Sequence, residues 1–307
     1  MKGRLYAEYM RRRGRPIFEG AGCYWYGVSP RMIMSIPYHE PMDPAADALF
    51  DLLGRARSIG ARYLAREGNG LSGGLYVRRK SPYDMSAIHH KSRSPLRRAL
   101  DKCVVREVER TELLAQGLQA NLDSMTRQGR FDAEFGTERQ WRRVVEASYA
   151  SPGVKVMGSF VDGALAAYSI TLTEDRWYHI LHAFSAQKFL ADYFPNTALT
   201  FELTRAAMEN PDVDHVSHGV AGLVNGAGLH QYKLRHGYEF VPYGYGFVLH
   251  PAARFALANP ISAGALRSAR RLFPKLQVFE RVASVLDGAR GTSLDTNADS
   301  REPLAAK

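Results

Sequence analysis

Residues 212–249 read DVDHVSHGVAGLVNGAGLHQYKLRHGYEFVPYGYGFVL, and the way this stretch divides decides the fold. Residues 213–218 read as a short strand, a glycine-punctuated loop follows, residues 225–236 read as a helix, and residues 238–249 as a long aromatic strand. Asn225 stands where an N-cap accepts the first free backbone N–H groups, and Gly237 where a helix ends on a left-handed residue. The last strand carries Phe240, Tyr243, Tyr245 and Phe247 with Gly244 and Gly246 between them. One side is therefore bulky and the other nearly bare, open to the approach of a backbone or a ligand.

Outward from this stretch the pattern continues. Residues 164–173 alternate Tyr168, Ile170 and Leu172 against Ser169, Thr171 and Thr173, and Asp162-Gly163 joins them to a strand at 154–160 through a tight hairpin turn. A third strand covers 176–184. A helix from Asn196 carries Leu199, Leu203 and Ala206 on one side and stops before Asn210-Pro211. Before the hairpin, a strand at 104–108 leads into a helix at 111–128 with a stripe of Leu114, Leu118, Leu122 and Met125. Thr137 with Gln140 reads as a capping box for the next helix, whose inner face is Trp141, Val144, Val145 and Tyr149. In the first hundred residues, Tyr6 and Tyr9 bracket a short helix. Strands at 23–28 and 31–37 meet across Ser29-Pro30, and Asp43 with Pro44 opens a helix bearing Leu49, Leu52, Leu53 and Ala56. Strands at 61–66 and 75–78 follow, separated by a glycine-rich stretch at 68–74, and Ser94-Pro95 starts a basic helix running to Lys102.

With 307 residues, 45% hydrophobic and 23% charged, the chain has the composition of a globular protein that buries one large core or two smaller ones. No apolar run reaches the length of a membrane span and no signal-like apolar core opens the chain, so the expected location is cytoplasmic. Cys23 and Cys103 form no metal spacing and no disulfide framework, and they read as small buried residues. No cluster points to a metal, and no Gly-x-Ser-x-Gly elbow points to a serine hydrolase. The net charge of +10 favours anionic partners without choosing between coenzyme phosphates, RNA and an acidic membrane surface. Residues 274–287 carry an apolar stripe of Leu276, Phe279, Val282 or Ala283, and Leu286. Such a helix docks on the body, pairs with a second subunit or, with the basic run at 267–271, makes peripheral contact with a membrane. The polar tail at 288–307 reads as disordered.

The order of strand, two helices, three antiparallel strands, helix, strand, helix and strand resembles that of the GNAT acyltransferase superfamily. It implies an α+β (mixed α/β) fold with one parallel pairing that opens into a cleft. The segment Gly228-Leu229-His230-Gln231-Tyr232-Lys233-Leu234-Arg235-His236-Gly237-Tyr238 is similar to the Leu-x-x-Phe-Lys-x-x-Phe-Gly segment of the FemAB-like branch, whose members carry two GNAT-type lobes in tandem. The helix around Arg93, Arg97 and Arg98 resembles the basic helix joining those lobes. The resemblance implies a shortened first lobe at 1–103, a catalytic lobe at 104–250 and a helical extension at 251–307. It also implies transfer of an acyl or aminoacyl group to an amine of a cell-envelope or polysaccharide precursor. The loop between Phe184 and Asn196 lacks the glycines with which coenzyme-A-dependent members hold a pyrophosphate, so the donor is aminoacyl-tRNA or an unusually held acyl-coenzyme A, with no metal. A conventional acyl-coenzyme A N-acyltransferase and a catalytically silent binding module are the alternative readings.

Acyl transfer needs a proton acceptor, an oxyanion stabiliser and an acid for the leaving group. By resemblance, Lys233 matches the family lysine placed near the developing charge; its other reading is complementation of the helix C-terminus together with Arg235 and His236. Tyr232 would wall the same site or belong to the core. His179 and His182 are expected on opposite faces of one strand, with His182 counted among substrate-binding residues alongside Arg93 and Arg97. His218, where its strand should splay, is the candidate base, and Tyr243 a candidate phenol acid or a core aromatic.

Overall fold

The computed structural model describes residues 1–29, 31–67, 70–221 and 227–258. The expected cap Asn225, the turn residue Pro30, Gly68, the basic run at 267–271, the helix at 274–287 and the tail lie outside those residues. The first part of the chain forms α1 (Arg4–Arg12), β1 (Ile17–Gly20), β2 (Cys23–Ser29), β3 (Met32–Ile36), α2 (Ala46–Arg55), β4 (Gly60–Ala65), β5 (Leu71–Arg79) and α3 (His90–Lys102). Next come β6 (Val104–Glu107), α4 (Arg110–Arg127), α5 (Ala133–Gly136), α6 (Glu138–Ala150), β7 (Val154–Val161), β8 (Ala164–Glu174) and β9 (Trp177–Ser185). The chain continues through α7 (Leu190–Tyr193), α8 (Pro195–Glu209), β10 (His215–Val220), α9 (Ala227–Arg235), β11 (Glu239–Leu249) and α10 (Pro251–Ala258).

The strands among the described residues join one sheet of 11, in the order β1-β2-β3-β4-β11-β5-β10-β9-β8-β7-β6. Among the described residues, only β3·β4 and β10·β9 are parallel. Counted outward from the central β11·β5 pair, each side shows an antiparallel neighbour, a parallel pair and then antiparallel strands. The sheet is therefore two lobes related by an approximate two-fold, with β6 the additional strand of the second. Each half contributes a strand to the other: β11 lies between β4 and β5, and β5 separates β11 from β10.

Local chemistry explains most of the elements. Asp162 and Gly163 both take positive φ, 48° and 78°, the mirror-image turn whose twist matches the β7–β8 ribbon. Gly237 takes φ 78° just after α9, where a Cβ would meet the Ala87 carbonyl oxygen at 2.9 Å. Several expected starts shift. Asp43 does not cap α2, which begins at Ala46 without a side-chain cap. α3 begins at His90, with the ring of His89 accepting from the Lys91 N–H, so Pro95 sits inside the helix instead of opening it. Thr137 occupies the N-cap of α6, but its hydroxyl donates back to the Ala133 carbonyl 2.8 Å away. The capping box forms two helices earlier, between Glu109 and Glu112 at the start of α4. On α4 the buried face is Leu113, Gly117, Ala120, Asn121, Ser124 and Met125, and the expected leucine stripe flanks it. Gly117 admits the Trp141 ring, so α4 meets α6 through its small residues. Ala206 and Tyr149 are exposed, with Ala207 and Ser148 buried in their place.

Two helical layers cover the sheet. On one face, Tyr6 and Met10 of α1, Phe135 of α5 and Trp141 of α6 pack on Tyr168, Ile170, Leu172 and Phe184. On the other, Leu96 of α3 and Leu199 and Leu203 of α8 pack on Tyr76, Ile180 and Val216. In the first lobe, Leu49, Leu52 and Leu53 of α2 cover Trp25, Tyr63 and Val248. The bare side of β11 is filled from within the sheet, the Tyr63 ring lying where a Cβ on Gly246 would come within 2.3 Å; on the bulky side, Tyr245 covers Gly73 of β5.

Beneath α1 lies a buried ion cluster. Arg13 grips Glu134 with Nε at 2.8 Å and Nη2 at 2.7 Å, the two side chains being 2% and 7% exposed, and Arg15 reaches the same carboxylate at 2.6 Å. Burial raises the Glu134 pKa, but the arginines outweigh it and hold the group below its ordinary 4.5. Glu134→Leu strands the Arg13 guanidinium in the core and is expected to cost about 3–5 kcal/mol in urea denaturation, most of it recovered by adding Arg13→Met. A carboxylate with a depressed native pKa contributes stability that is complete above its unfolded value and is lost as pH falls below about 4.5 towards the native pKa. Unfolding free energy should therefore fall more steeply with acid in the wild type than in the double variant.

Candidate active site

The parallel pair at the centre of the second lobe stops after three rungs. Trp177, Tyr178 and His179 of β9 face His215, Val216 and Ser217 of β10, and the strands then part. Both strands are irregular at that level. β10 shifts register between Ser217 and Val220, with Gly219 at φ 76°, before it continues along β5. β9 shifts between Ile180 and His182, leaving Leu181 as the extra residue opposite β8. Paired bulges of this kind re-aim strands and open a sheet. Among the described residues β10 offers residues 180–185 no partner, and Ala183 is solvent-exposed in mid-sheet.

The Leu181 bulge also reverses the expected alternation. His179 and His182 point to the same face, towards α1: His179 lies beside Tyr38 and Tyr6, and His182 Nε2 is 3.1 Å from Arg13 Nη1. Burial keeps both imidazoles neutral, with their pKa values far below the usual histidine range; His39 reinforces this at His179 and Arg13 at His182. Tyr243 shares that face, packed against the same core cluster. His182 and Tyr243 are thus separated by the sheet from Lys233.

On the opposite face, the structure brings Lys233, His218 and Tyr232 together. Lys233 is 5% exposed; its Nζ donates to the His218 carbonyl at 2.6 Å and lies 4.2 Å from the centroid of the Tyr76 ring. That carbonyl is the one β10 carries into its bulge, so the ammonium takes the place of a lost strand partner. Among the described residues no carboxylate pairs with Lys233, and burial lowers its pKa to about 8. The Tyr76 hydroxyl is in turn 2.9 Å from His230 Nδ1, and Phe240 closes the aromatic group. The His218 ring stands edge-on to Tyr238 and Tyr232, and burial, followed by the Lys233 charge, pushes its pKa down to about 3. A neutral imidazole of this kind accepts a hydrogen bond readily but holds a proton poorly at neutral pH.

The Tyr232 hydroxyl, 3.1 Å from both the Asn196 carbonyl and Thr200 Oγ1, ties α9 to the first turn of α8. That turn carries no acidic residue and abuts the end of β9, where Ser185 Oγ lies 3.1 Å from Asn196 Nδ2 and 3.0 Å from Arg127 Nη2. The connection between β9 and α8 is filled by a 3₁₀ turn at Gln187–Phe189 and by α7, with the Gln187 N–H committed to Asp123 Oδ2 at 2.8 Å. α3 runs beside α8. Arg93 there donates to the Ile88 and Ser86 carbonyls, while Arg97, one turn on, is exposed.

Sequence reading passed over Tyr38, whose hydroxyl lies 3.0 Å from Ser217 Oγ and 3.1 Å from His179 Nδ1, bridging the last rung before the strands part. No local pattern announces it, because the bridge spans three distant segments. His39, stacked against both Trp177 and His179, was likewise silent in the sequence.

No protein-family model matches the chain, and no curated protein matches it. Solved structures do. FemX shares 12% identity over 84% of this chain and 94% of its own, with a TM-score of 0.57. The C-terminal domain of a protein named as a lysylphosphatidylglycerol synthetase, from Agrobacterium fabrum, shares 13% over 85% and 92%, at 0.54. L-PGS of Bacillus licheniformis shares 12% over 92% and 93%, at 0.52. The strand order, the three-rung parallel pair and these likenesses agree: the chain has the mixed α/β fold of these solved structures.

Proposed function

We propose that this chain is an acyltransferase that moves an acyl or aminoacyl group from an activated ester or thioester to an amine of a cell-envelope or polysaccharide precursor. The observation that carries this reading is the parting of β9 and β10 at facing bulges, beside the first turn of α8 and the Lys233 ammonium. An extended acyl donor entering such a parting can use backbone groups that β9 leaves without a strand partner. The likeness to FemX and to a protein named for joining lysine to phosphatidylglycerol supports the aminoacyl form. The helical filling between β9 and α8, with no glycine loop, favours charged tRNA over coenzyme A. Exposed Arg97 on α3, with Arg93 behind it, offers a phosphate-binding flank on the same side of the sheet.

In the proposed step, the acceptor amine attacks the donor carbonyl carbon. A C–N bond forms, the C–O or C–S bond breaks, the amine loses a proton and the leaving hydroxyl or thiol gains one. Lys233 uses one N–H on the His218 carbonyl and retains two for the oxyanion. Tyr232 walls the site. His218 orients the incoming amine as a neutral acceptor, and proton removal passes to solvent. Tyr243 and His182 lie across the sheet and take no part.

The test is direct. Purified protein given a mixture of charged tRNAs, acyl-coenzyme A thioesters and amine acceptors should consume one donor; consumption of none would overturn the reading. Lys233→Met, which keeps the volume but not the charge, should lower transfer by about 10²–10³-fold while the circular-dichroism melt stays cooperative. A collapse of the melt would instead make Lys233 a residue that merely pins the bulge. The pH dependence gives a second check. Transfer that needs the ammonium should decline as pH rises through about 8. Stability moves the other way: the unfolded lysine, at 10.5, holds its proton more tightly than the folded one, so folding gains as pH rises from about 8 towards 10.5. An alkaline limb in rate without one in stability is the expected pair of curves.

A further inference from the structure

The Lys233 ammonium is placed by its bond to the His218 carbonyl, and that carbonyl belongs to the β10 bulge. Whatever fixes the bulge therefore fixes the cation. Packing does little of this at Gly219: its φ is 76°, and a Cβ there would meet nothing within 4 Å among the described residues. The turn is held instead by a hydrogen bond, from the Gly219 N–H to Ser217 Oγ at 3.3 Å. Regular pairing resumes only at Val220, opposite Leu75 of β5, and at Ala221, whose N–H reaches the Gly74 carbonyl at 2.7 Å. Residues 218 and 219 are thus steered from the Ser217 side.

Ser217 is fully buried, and its hydroxyl is held in turn from the first lobe, by the Tyr38 hydroxyl at 3.0 Å. Tyr38 follows β3, which leaves β4 after the Met34–Arg62 rung; the chain is tied back to β4 only where the Met42 N–H donates to the Leu64 carbonyl at 2.8 Å. The departure of one strand in the first lobe so delivers a phenol to the last rung before the strands part in the second.

The phenol has little freedom there. Its ring stands edge-on to His179 at 5.1 Å and to Tyr6 at 6.1 Å, and its oxygen lies 3.1 Å from His179 Nδ1. Burial raises the Tyr38 pKa well above the ordinary phenol range, so the hydroxyl keeps its proton, and burial keeps the His179 imidazole neutral beside it. Two hydroxyls, a backbone N–H and a backbone carbonyl therefore run in sequence from the first lobe to the cation on the other face of the sheet.

We propose that Tyr38 is a positioning residue through which the first lobe sets where the Lys233 ammonium stands. Its hydroxyl fixes Ser217, Ser217 fixes the Gly219 N–H, and the His218 carbonyl between them takes the cation. That the ammonium so placed acts in transfer rests on the transferase reading above; the placement itself does not.

The titration of Lys233 reads this placement directly, because burial lowers its pKa to about 8. Around it stand the His218 and His236 imidazoles, which burial holds below the usual histidine range, and the Tyr76, Tyr232 and Tyr238 phenols, which burial holds above theirs. In the full chain labelled with 13C at lysine Cε, the resonance that Lys233→Met removes should titrate near 8. In Tyr38→Phe it should titrate about one pH unit higher, towards 10.5, because a loosened bulge lets water reach the ammonium. Ser217→Ala should move it at least as far, and the double variant no further than Ser217→Ala alone. Leu165→Ala truncates the core on β8, outside this chain of bonds, and should lower the melting temperature at least as much as Tyr38→Phe while leaving the Lys233 titration in place. In transfer, Tyr38→Phe should lower kcat by about tenfold with KM nearly unchanged, and the alkaline limb should move with the titration.

An unmoved Lys233 titration in Tyr38→Phe, or in Ser217→Ala should the first variant not fold, overturns the proposal, as does an equal movement in Leu165→Ala. The two readings fail separately. A shifted titration in a protein that consumes no donor removes the transferase reading alone, and transfer with an unshifted titration removes the role of Tyr38 alone.

Discussion

Backbone groups in the middle of a sheet must find partners, and this fold is organised around a place where two neighbouring strands stop providing them. Past Ser217, β10 and β9 no longer pair, and polar groups at that level are satisfied one at a time. The Gly219 N–H turns to Ser217 Oγ, the His218 carbonyl takes the Lys233 ammonium, the Ala221 N–H reaches the Gly74 carbonyl, and the Ala221 carbonyl receives the Tyr245 hydroxyl. Each of these partners comes from a different element. A buried cation beside a tyrosine face is an expensive group to desolvate, and its presence here follows from the carbonyl that needs it. The same bond that steadies the bulge holds a charge beside the opening.

The approximate two-fold extends this logic. Each lobe has a parallel pair of three rungs followed by a parting, yet the lobes are clothed differently. The second has β6 and helices α4 to α6 over one face; among the described residues the first shows no such layer, and α1 serves both. α1 is held to the second lobe at its N-terminus, where the Glu174 carboxylate accepts from the Leu5 and Tyr6 N–H groups at 2.5 and 3.0 Å and Asp175 from Gly3 at 3.1 Å. At its other end, Arg13 enters the ion cluster with Glu134. A carboxylate at a helix N-terminus and a basic last turn both suit the helix dipole, so the strap is fastened where its electrostatics favour it.

Element order was legible because the signals that set it are local. Asp162-Gly163 demands a tight hairpin, Gly237 ends a helix, and period-two alternation marks β8; together these were enough to place the parallel step between β9 and β10. What escaped was non-local or smaller than an element. Strict alternation separates His179 from His182, and a single unpaired residue, Leu181, puts them on one face. The buried face of α4 lies beside its leucines because Gly117 lets Trp141 in, a choice made by a residue 24 positions on, in another helix. The short β1 carries too few residues for a pattern. Of the site, Lys233, His218 and Tyr232 were found as neighbours, since a helix and the strand before it bring them together. Tyr243 was drawn in by chemistry alone, and strand parity places it across the sheet. Tyr38 gave no signal, because its significance lies in which strands part beside it.

Reciprocal insertion of β5 and β11 has a consequence for how the molecule is made. β4 is complete by residue 65, yet its neighbour spans Glu239–Leu249, near the far end of the described chain. A nascent chain leaving the ribosome therefore carries an open, apolar sheet margin through most of its synthesis, the condition under which wrong strand pairing and capture by chaperones compete with productive closure. Closure must await the last strand, so the two lobes reach their finished form together, after translation has passed residue 249, and not in the order in which they are encoded.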